Sequence, residues 1–175
     1  MQTTIRTERL ILRDPVLDDW AAIHEYSSDP DVVRHSMWGP NTEEETREYV
    51  EQMIEMRQEQ PRMSYELVVT LKDSGELIGG CGIHKAGFNA EIGYTFNPRF
   101  WGRGYASEAA FALLRFGFEE LGVHRIYATC RPANEASANV MKRIGMQREG
   151  RMREHLFFKG KFHDSELYSI LRQEF

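Results

Sequence analysis

The chain has 175 residues, 41% of them hydrophobic and 28% charged, a balance that fits a soluble globular protein and excludes a disordered one. No apolar run approaches the length of a membrane span, and the polar start Met1-Gln-Thr-Thr-Ile-Arg6 is no signal peptide, so the expected compartment is the cytoplasm. The net charge of −5 argues against nucleic acid as the main partner, and the length predicts one domain over residues 1–175.

In chain order, Thr7-Glu-Arg-Leu-Ile-Leu-Arg13 reads as a first strand, ended by Asp14-Pro15. Leu17 to Ser27 reads as a helix with Asp18 and Asp19 in its first turn, where the helix dipole favours acids. His35 to Pro40 is irregular and contains Trp38. Thr42-x-x-Glu45 is a capping box opening a long helix, with Tyr49, Met53 and Met56 among its apolar positions. Tyr65 to Leu71 and Leu77 to His84 flank Lys72-Asp-Ser-Gly75, a hairpin turn. Ile92, Tyr94 and Phe96 then alternate with Gly93 and Thr95, predicting a strand from Glu91 to Phe96.

From Ala106 the period changes, and Ala106, Ala110, Leu113, Leu114, Gly117 and Leu121 form one helical stripe ended by Gly122. Arg125 to Cys130 is a further strand. Asn134 caps a short helix whose Ala136, Val140 and Ile144 form a stripe, ended by Gly145. Strands from Gln147 to Phe158 and from Ser165 to Leu171 close the chain, joined through Lys159-Gly-Lys161. The order predicts a mixed α/β sheet flanked by helices. Cys81 and Cys130 fall in strands and read as reduced core residues.

Between strand and helix lies Arg99-x-x-Gly102-x-Gly104-Tyr105-Ala106, which brings bare amides and two guanidinium groups to a helix N-terminus. Free amides and the positive end of the helix dipole suit a pyrophosphate. By itself the loop is equally a structural turn. A dinucleotide-binding loop would want a third small residue at position 107 and an acid about 20 residues on; Ser107 stands at the first, and Glu119 and Glu120 come early for the second. A nucleotide-triphosphate P-loop is excluded, since no Gly-x-x-x-x-Gly-Lys-[Ser/Thr] occurs.

Glu91 to Ala109 closely resembles the acetyl-coenzyme A signature of the GNAT (GCN5-related) N-acetyltransferases. Arg131-Pro-Ala-Asn134-Glu-Ala-Ser137-Ala-Asn139-Val-Met141-Lys-Arg-Ile-Gly145-Met146 resembles their second landmark, with Met146 in place of a Phe. Thr7 to Arg13, Trp38-Gly-Pro40, and Arg153 to Asp164 with Tyr168-Ser-Ile-Leu171 are similar to the bacterial subgroup that acetylates ribosomal-protein N-termini. The resemblance implies the GNAT fold, acetyl-CoA as acetyl donor, no metal, a primary-amine acceptor, and a monomer or homodimer. The implied coenzyme contacts are Tyr94, Phe96, Arg99, Trp101, Gly102, Arg103, Gly104, Tyr105, Ala106, Ser107, Asn134, Ser137 and Asn139.

The Tyr that protonates the departing thiolate in many relatives is Met141 here, which has no proton to give. Ser137, one turn earlier on the same helix face, carries a hydroxyl and is the candidate acid, or else a packing residue. The amine must attack as the free base, which makes Glu91 a candidate proton acceptor through water, or a surface residue. Phe96, on the strand whose backbone amides bind the thioester in relatives, joins them as a catalytic candidate. Trp38 and His84 are candidates for the acceptor site, against core and strand-end readings. The six histidines show no metal-ligand spacing. The leading acceptor is a protein N-terminal α-amino group; a small-molecule amine, or a non-catalytic acyl-CoA sensor, remains open.

Overall fold

The computed structural model describes residues 2–175; Met1, at the head of the polar start, lies outside them. Strands form where apolar residues alternate, as in Arg125–Cys130, which buries Ile126, Ala128 and Cys130 and leaves Arg125, Tyr127 and Thr129 half-buried. The described elements are β1 (Thr4–Arg6), β2 (Leu10–Arg13), α1 (Trp20–Ser27), α2 (Glu43–Met56), β3 (Ser64–Leu71), β4 (Leu77–Ala86), β5 (Asn89–Phe96), α3 (Tyr105–Glu119), β6 (Arg125–Cys130), α4 (Glu135–Arg143), β7 (Gln147–Phe158) and β8 (Lys161–Leu171). They build an 8-stranded sheet in the order β1-β2-β3-β4-β5-β6-β8-β7. Every neighbouring pair is antiparallel except β5 and β6, which run parallel because α3 carries the chain back between them.

Helices cover both faces. On one, Ile23 and Tyr26 of α1 and Val50 and Met53 of α2 close over Val68. On the other, Ala109, Ala110, Leu113 and Leu114 of α3 lie fully buried against Leu67, Ile83 and Ile126. Burying each of these leucines contributes about 1.5–3 kcal/mol. Gly117 lets α3 approach closely, since a Cβ there would lie 2.7 Å from Ile126 Cδ1 and 2.8 Å from Ile83 Cδ1.

Several predicted bounds shift for physical reasons. Thr7 to Arg13 is not one strand: Thr7 Oγ1 accepts from the Leu10 amide at 2.9 Å, so the chain turns between β1 and β2. Leu17–Asp19 is a 3-10 turn preceding α1, because Asp19 is held by Arg13 at 2.8 Å and accepts from the Val16 amide. β5 and β8 begin earlier than expected, at Asn89 and Lys161, because each hairpin pairs up to its turn. The stripe of α4 is rotated: Ala136 is exposed, while Met141 and Ile144 are buried. The Thr42 capping box forms as read, with reciprocal bonds to Glu45. Cys81 and Cys130 are free and buried.

β5 and β6 pair only through Asn89↔Arg125, Ala90↔Ile126 and Glu91↔Tyr127. Beyond Glu91, β5 stays with β4 and β6 stays with β8, so the sheet splits into a V.

Candidate active site

The V opens into a cleft of about 1580 Å³ lined by β5, β6, the start of α3 and one side of α4. The Asn97 amide donates to the Ile78 carbonyl of β4 at 2.9 Å. Strand alternation therefore turns the amides of Phe96 and Tyr94 the other way, into the split. The Phe96 carbonyl is taken by the Trp101 indole N–H at 2.7 Å, so at that residue the amide is the available group.

At one end of the cleft stands the N-terminus of α3. Its N-cap, Gly104, has φ +80° and no side chain, so no cap accepts from the first-turn amides. The first helical bond runs from Glu108 to the Gly104 carbonyl, and Gly102, Gly104, Tyr105, Ala106 and Ser107 line the opening. A network from outside fixes this turn. Glu108 accepts from the Thr7 hydroxyl at 2.6 Å, the Arg9 amide at 2.8 Å and the Arg9 guanidinium at 2.7 Å. Arg9 also donates to the Arg103 carbonyl at 3.0 Å, pinning the loop to the turn between β1 and β2. Burial works to raise the Glu108 carboxyl, but these donors outweigh it and hold the group below its ordinary value. An uncapped helix start on a fixed loop fits a pyrophosphate.

In the middle of the cleft, α4 approaches β5. Asn134 caps α4 by accepting from the Ser137 amide at 3.2 Å. The Tyr94 hydroxyl of β5 lies 3.1 Å from the Ser137 carbonyl and 3.1 Å from Ser137 Oγ. Burial pushes the Tyr94 phenol above its ordinary value, against a smaller downward pull from the Ser137 hydrogen bond, so it keeps its proton. Met141 is 1% exposed and packs in the core behind this pair.

The other face of the V carries a polar strip. Tyr127 donates to Glu91 at 3.4 Å, and both are half-buried. His84 stands opposite Glu91 in the β4–β5 register, and its Nε2 lies 2.9 Å from Glu66 Oε1. That hydrogen bond, opposed by burial and aided by the charges of Glu66 and Glu91, raises the His84 imidazole above its ordinary value. Trp38 is 41% exposed and lines the cleft with Met37 and His35, rather than joining the core.

Most of the residues expected from the sequence thus come together: Glu91, Tyr94, Phe96, Trp101, Gly102, Gly104 to Ser107, Asn134, Ser137, Asn139, Trp38 and His84 all line the cleft. The guanidinium groups of Arg99 and Arg103 do not. Arg99 turns to Glu76 at 3.1 Å and Glu25 at 3.4 Å, because those acids lie on the α1 side of the loop. Arg103 lies over the Phe100 ring. The sequence reading missed Arg143, which reaches Ser107 Oγ at 3.3 Å from the last turn of α4, and Tyr127, signalled only by its parity on β6. No group of three potential metal ligands comes together among the described residues.

The profile of the Acetyltransferase (GNAT) domain matches residues 9–147. The N-acetyltransferase YnaD of Bacillus subtilis is 39% identical over 172 residues, which cover 97% of this chain and 98% of its own. The crystal structure of a GNAT-family acetyltransferase from Bacillus anthracis superposes on 98% of this chain and 100% of its own, at 40% identity and a TM-score of 0.89. The ribosomal protein uS5-alanine N-acetyltransferase of Escherichia coli is 28% identical over 102 residues, 56% of this chain and 53% of its own.

Proposed function

The chain belongs to the GNAT acetyltransferases, enzymes that use acetyl-CoA, and from that premise we propose that it acetylates protein N-terminal α-amino groups. The observation that carries this reading is the shape of the acceptor side. α1 and α2 pack over β3 and β4, while Glu91 and Tyr127 on β5 and β6 stay half-buried along a trench. A trench bordered by Trp38, Met152 and His155 suits the end of an extended polypeptide better than a compact amine. The similarity to the Escherichia coli enzyme, whose acceptor is the alanine terminus of a ribosomal protein, supports the same reading.

Acetyl-CoA supplies the activated acetyl group. The first-turn amides of α3 would hold its pyrophosphate, and the Tyr94 and Phe96 amides its pantetheine arm. Ser137 would protonate the departing thiolate. Tyr94, whose hydroxyl donates to the Ser137 carbonyl and lies 3.1 Å from Ser137 Oγ, would hold the serine in place for that task. Glu91 would take the amine proton through water. His84 is ill suited to that role, since Glu66 keeps it protonated to higher pH than an ordinary histidine. An α-amino group, with a reference pKa of about 8, keeps a usable free-base fraction near neutrality and needs only such a modest base.

Free-thiol release tests this reading, using peptides beginning with serine or alanine, the same peptides with blocked N-termini, a polyamine and an aminoglycoside. Release with the free peptides and none with the blocked ones is expected. Turnover of the small amines alone would overturn it.

A further inference from the structure

Arg131 follows the last residue of β6 and is 8% exposed, yet its Nη1 is fully buried with no hydrogen-bond partner among the described residues. Nor does any ion pair engage it among them. Arg62, similarly enclosed, shows the ordinary solution: its guanidinium meets Asp14 at 2.7 Å. Nη1 has thus lost its hydration without a hydrogen bond in return, a deficit that an anion in the cleft would make good.

Geometry says where that anion sits. Cys130 belongs to the core shared with α4, so Arg131 turns to the opposite, acceptor side of the sheet. There its guanidinium carbon stands 6.0 Å from the ring centre of Phe158, and it lines the cleft with His35 and Trp38. Burial, then the charges of Arg34, Arg131 and Lys159, hold the His35 imidazole below its ordinary value. This end of the trench is therefore locally basic on a chain of net charge −5. Of the nearby acids, Asp31 is engaged by Arg34, and Glu91 is the proposed proton acceptor. Neither supplies Arg131 with a direct partner.

We propose that Arg131 seats a carboxylate of the acceptor, so that the enzyme selects amines that carry an anionic group a short distance from the nitrogen. The inference rests on the trench being the acceptor site, as in the function proposed above. It adds the chemical class of the acceptor: an amine with a neighbouring carboxylate. Glu91 would face the amine, and Arg131 the acid.

The carboxylate has two sources, an acidic side chain near a peptide N-terminus or the carboxylate of a free amino acid, and matched pairs separate them. One arm compares a serine-initiated peptide with glutamate at its second residue against its glutamine twin, both with amidated C-termini. The other compares alanine with alaninamide at equal free-amine concentration. The wild-type enzyme should favour the acid in at least one arm by roughly tenfold or more in kcat/KM, carried by KM, as a charge-assisted hydrogen bond predicts. Preference in the peptide arm assigns the carboxylate to the second residue of the acceptor chain; preference in the alanine arm alone assigns it to a free amino acid. Arg131→Met should bring the ratio toward one, while Arg131→Lys keeps part of it. A wild-type enzyme that treats both pairs alike overturns the proposal, whatever the variants do. Equal turnover of both peptides leaves the N-terminal reading standing. Turnover of small amines but of no peptide sinks that reading, while the alanine comparison still decides this one.

Discussion

Ser137 sits one helical turn before Met141, the position where the resemblance to the acetyltransferases leads one to expect a tyrosine. Met141 fills the core, and Ser137 carries the hydroxyl into the cleft. The Tyr94–Ser137 contact at 3.1 Å adds a second hydroxyl whose proton burial secures across the working pH range. If Ser137 delivers the proton to the thiolate, Ser137→Ala should lower kcat by about 10²–10⁴-fold, the usual contribution of a positioned general acid. Acetyl-CoA affinity should stay nearly constant, because the lost interaction acts on the transition state rather than on binding. Tyr94→Phe should cost less, since Ser137 keeps its own hydrogen. Steady-state kcat beside acetyl-CoA affinity checks both, and a Ser137→Ala enzyme turning over at the parent rate would reduce Ser137 to a packing residue.

At the scale of elements, the start of α3 is held by the turn between β1 and β2 rather than by its own loop. Glu108 gathers Thr7 and Arg9, and Arg9 grips the Arg103 carbonyl, so the bare amides keep one orientation. Glu108→Gln should weaken acetyl-CoA binding while leaving the hydroxyl pair of the cleft untouched. It also has a defined pH signature. The carboxyl lies lower in the folded state than its ordinary value, so its stabilisation is present above the unfolded pKa of about 4.3 and is lost as pH falls through the folded one. Thermal melts of parent and variant should therefore differ at pH 7 and converge as the pH drops well below 4; a gap that persists there would show that Glu108 acts through packing.

Local signals made these elements legible in sequence, and long-range contacts were not. The change of period at Ala106, the Thr42 box and the alternation of β6 all follow from neighbours along the chain. The Arg9–Glu108 clamp spans 99 residues and the Tyr94–Ser137 bond 43, so no window of sequence contains both partners. The partners of Arg99 are illegible for the same reason: only the fold brings Glu25 and Glu76 to it. In sequence Arg131 is part of a landmark, and nothing in its neighbours announces an Nη1 buried without an acceptor.

For the whole molecule, the split between β5 and β6 is both the proposed binding site and a gap in the sheet. Five residues of β5, Ile92 to Phe96, lack a strand partner on the β6 side, where an ordinary sheet would continue its ladder. A ligand that runs along this edge completes hydrogen bonds in the middle of the sheet and also ties α3 to α4, whose ends Arg143 and Ser107 already meet at 3.3 Å. Binding should therefore stabilise the fold globally. At 100 times its dissociation constant, a ligand selective for the native state adds about 2.7 kcal/mol. For a chain of this size, each kcal/mol raises Tm by about 2–4 °C, so acetyl-CoA should raise it by roughly 5–11 °C. NAD has a pyrophosphate but no pantetheine arm to lie along β5. It should give a much smaller shift even if it docks at α3. Thermal melts with each ligand decide the point: an equal shift would place the stabilisation at the α3 terminus alone, and a shift with NAD but none with acetyl-CoA would refute the cleft as the coenzyme site.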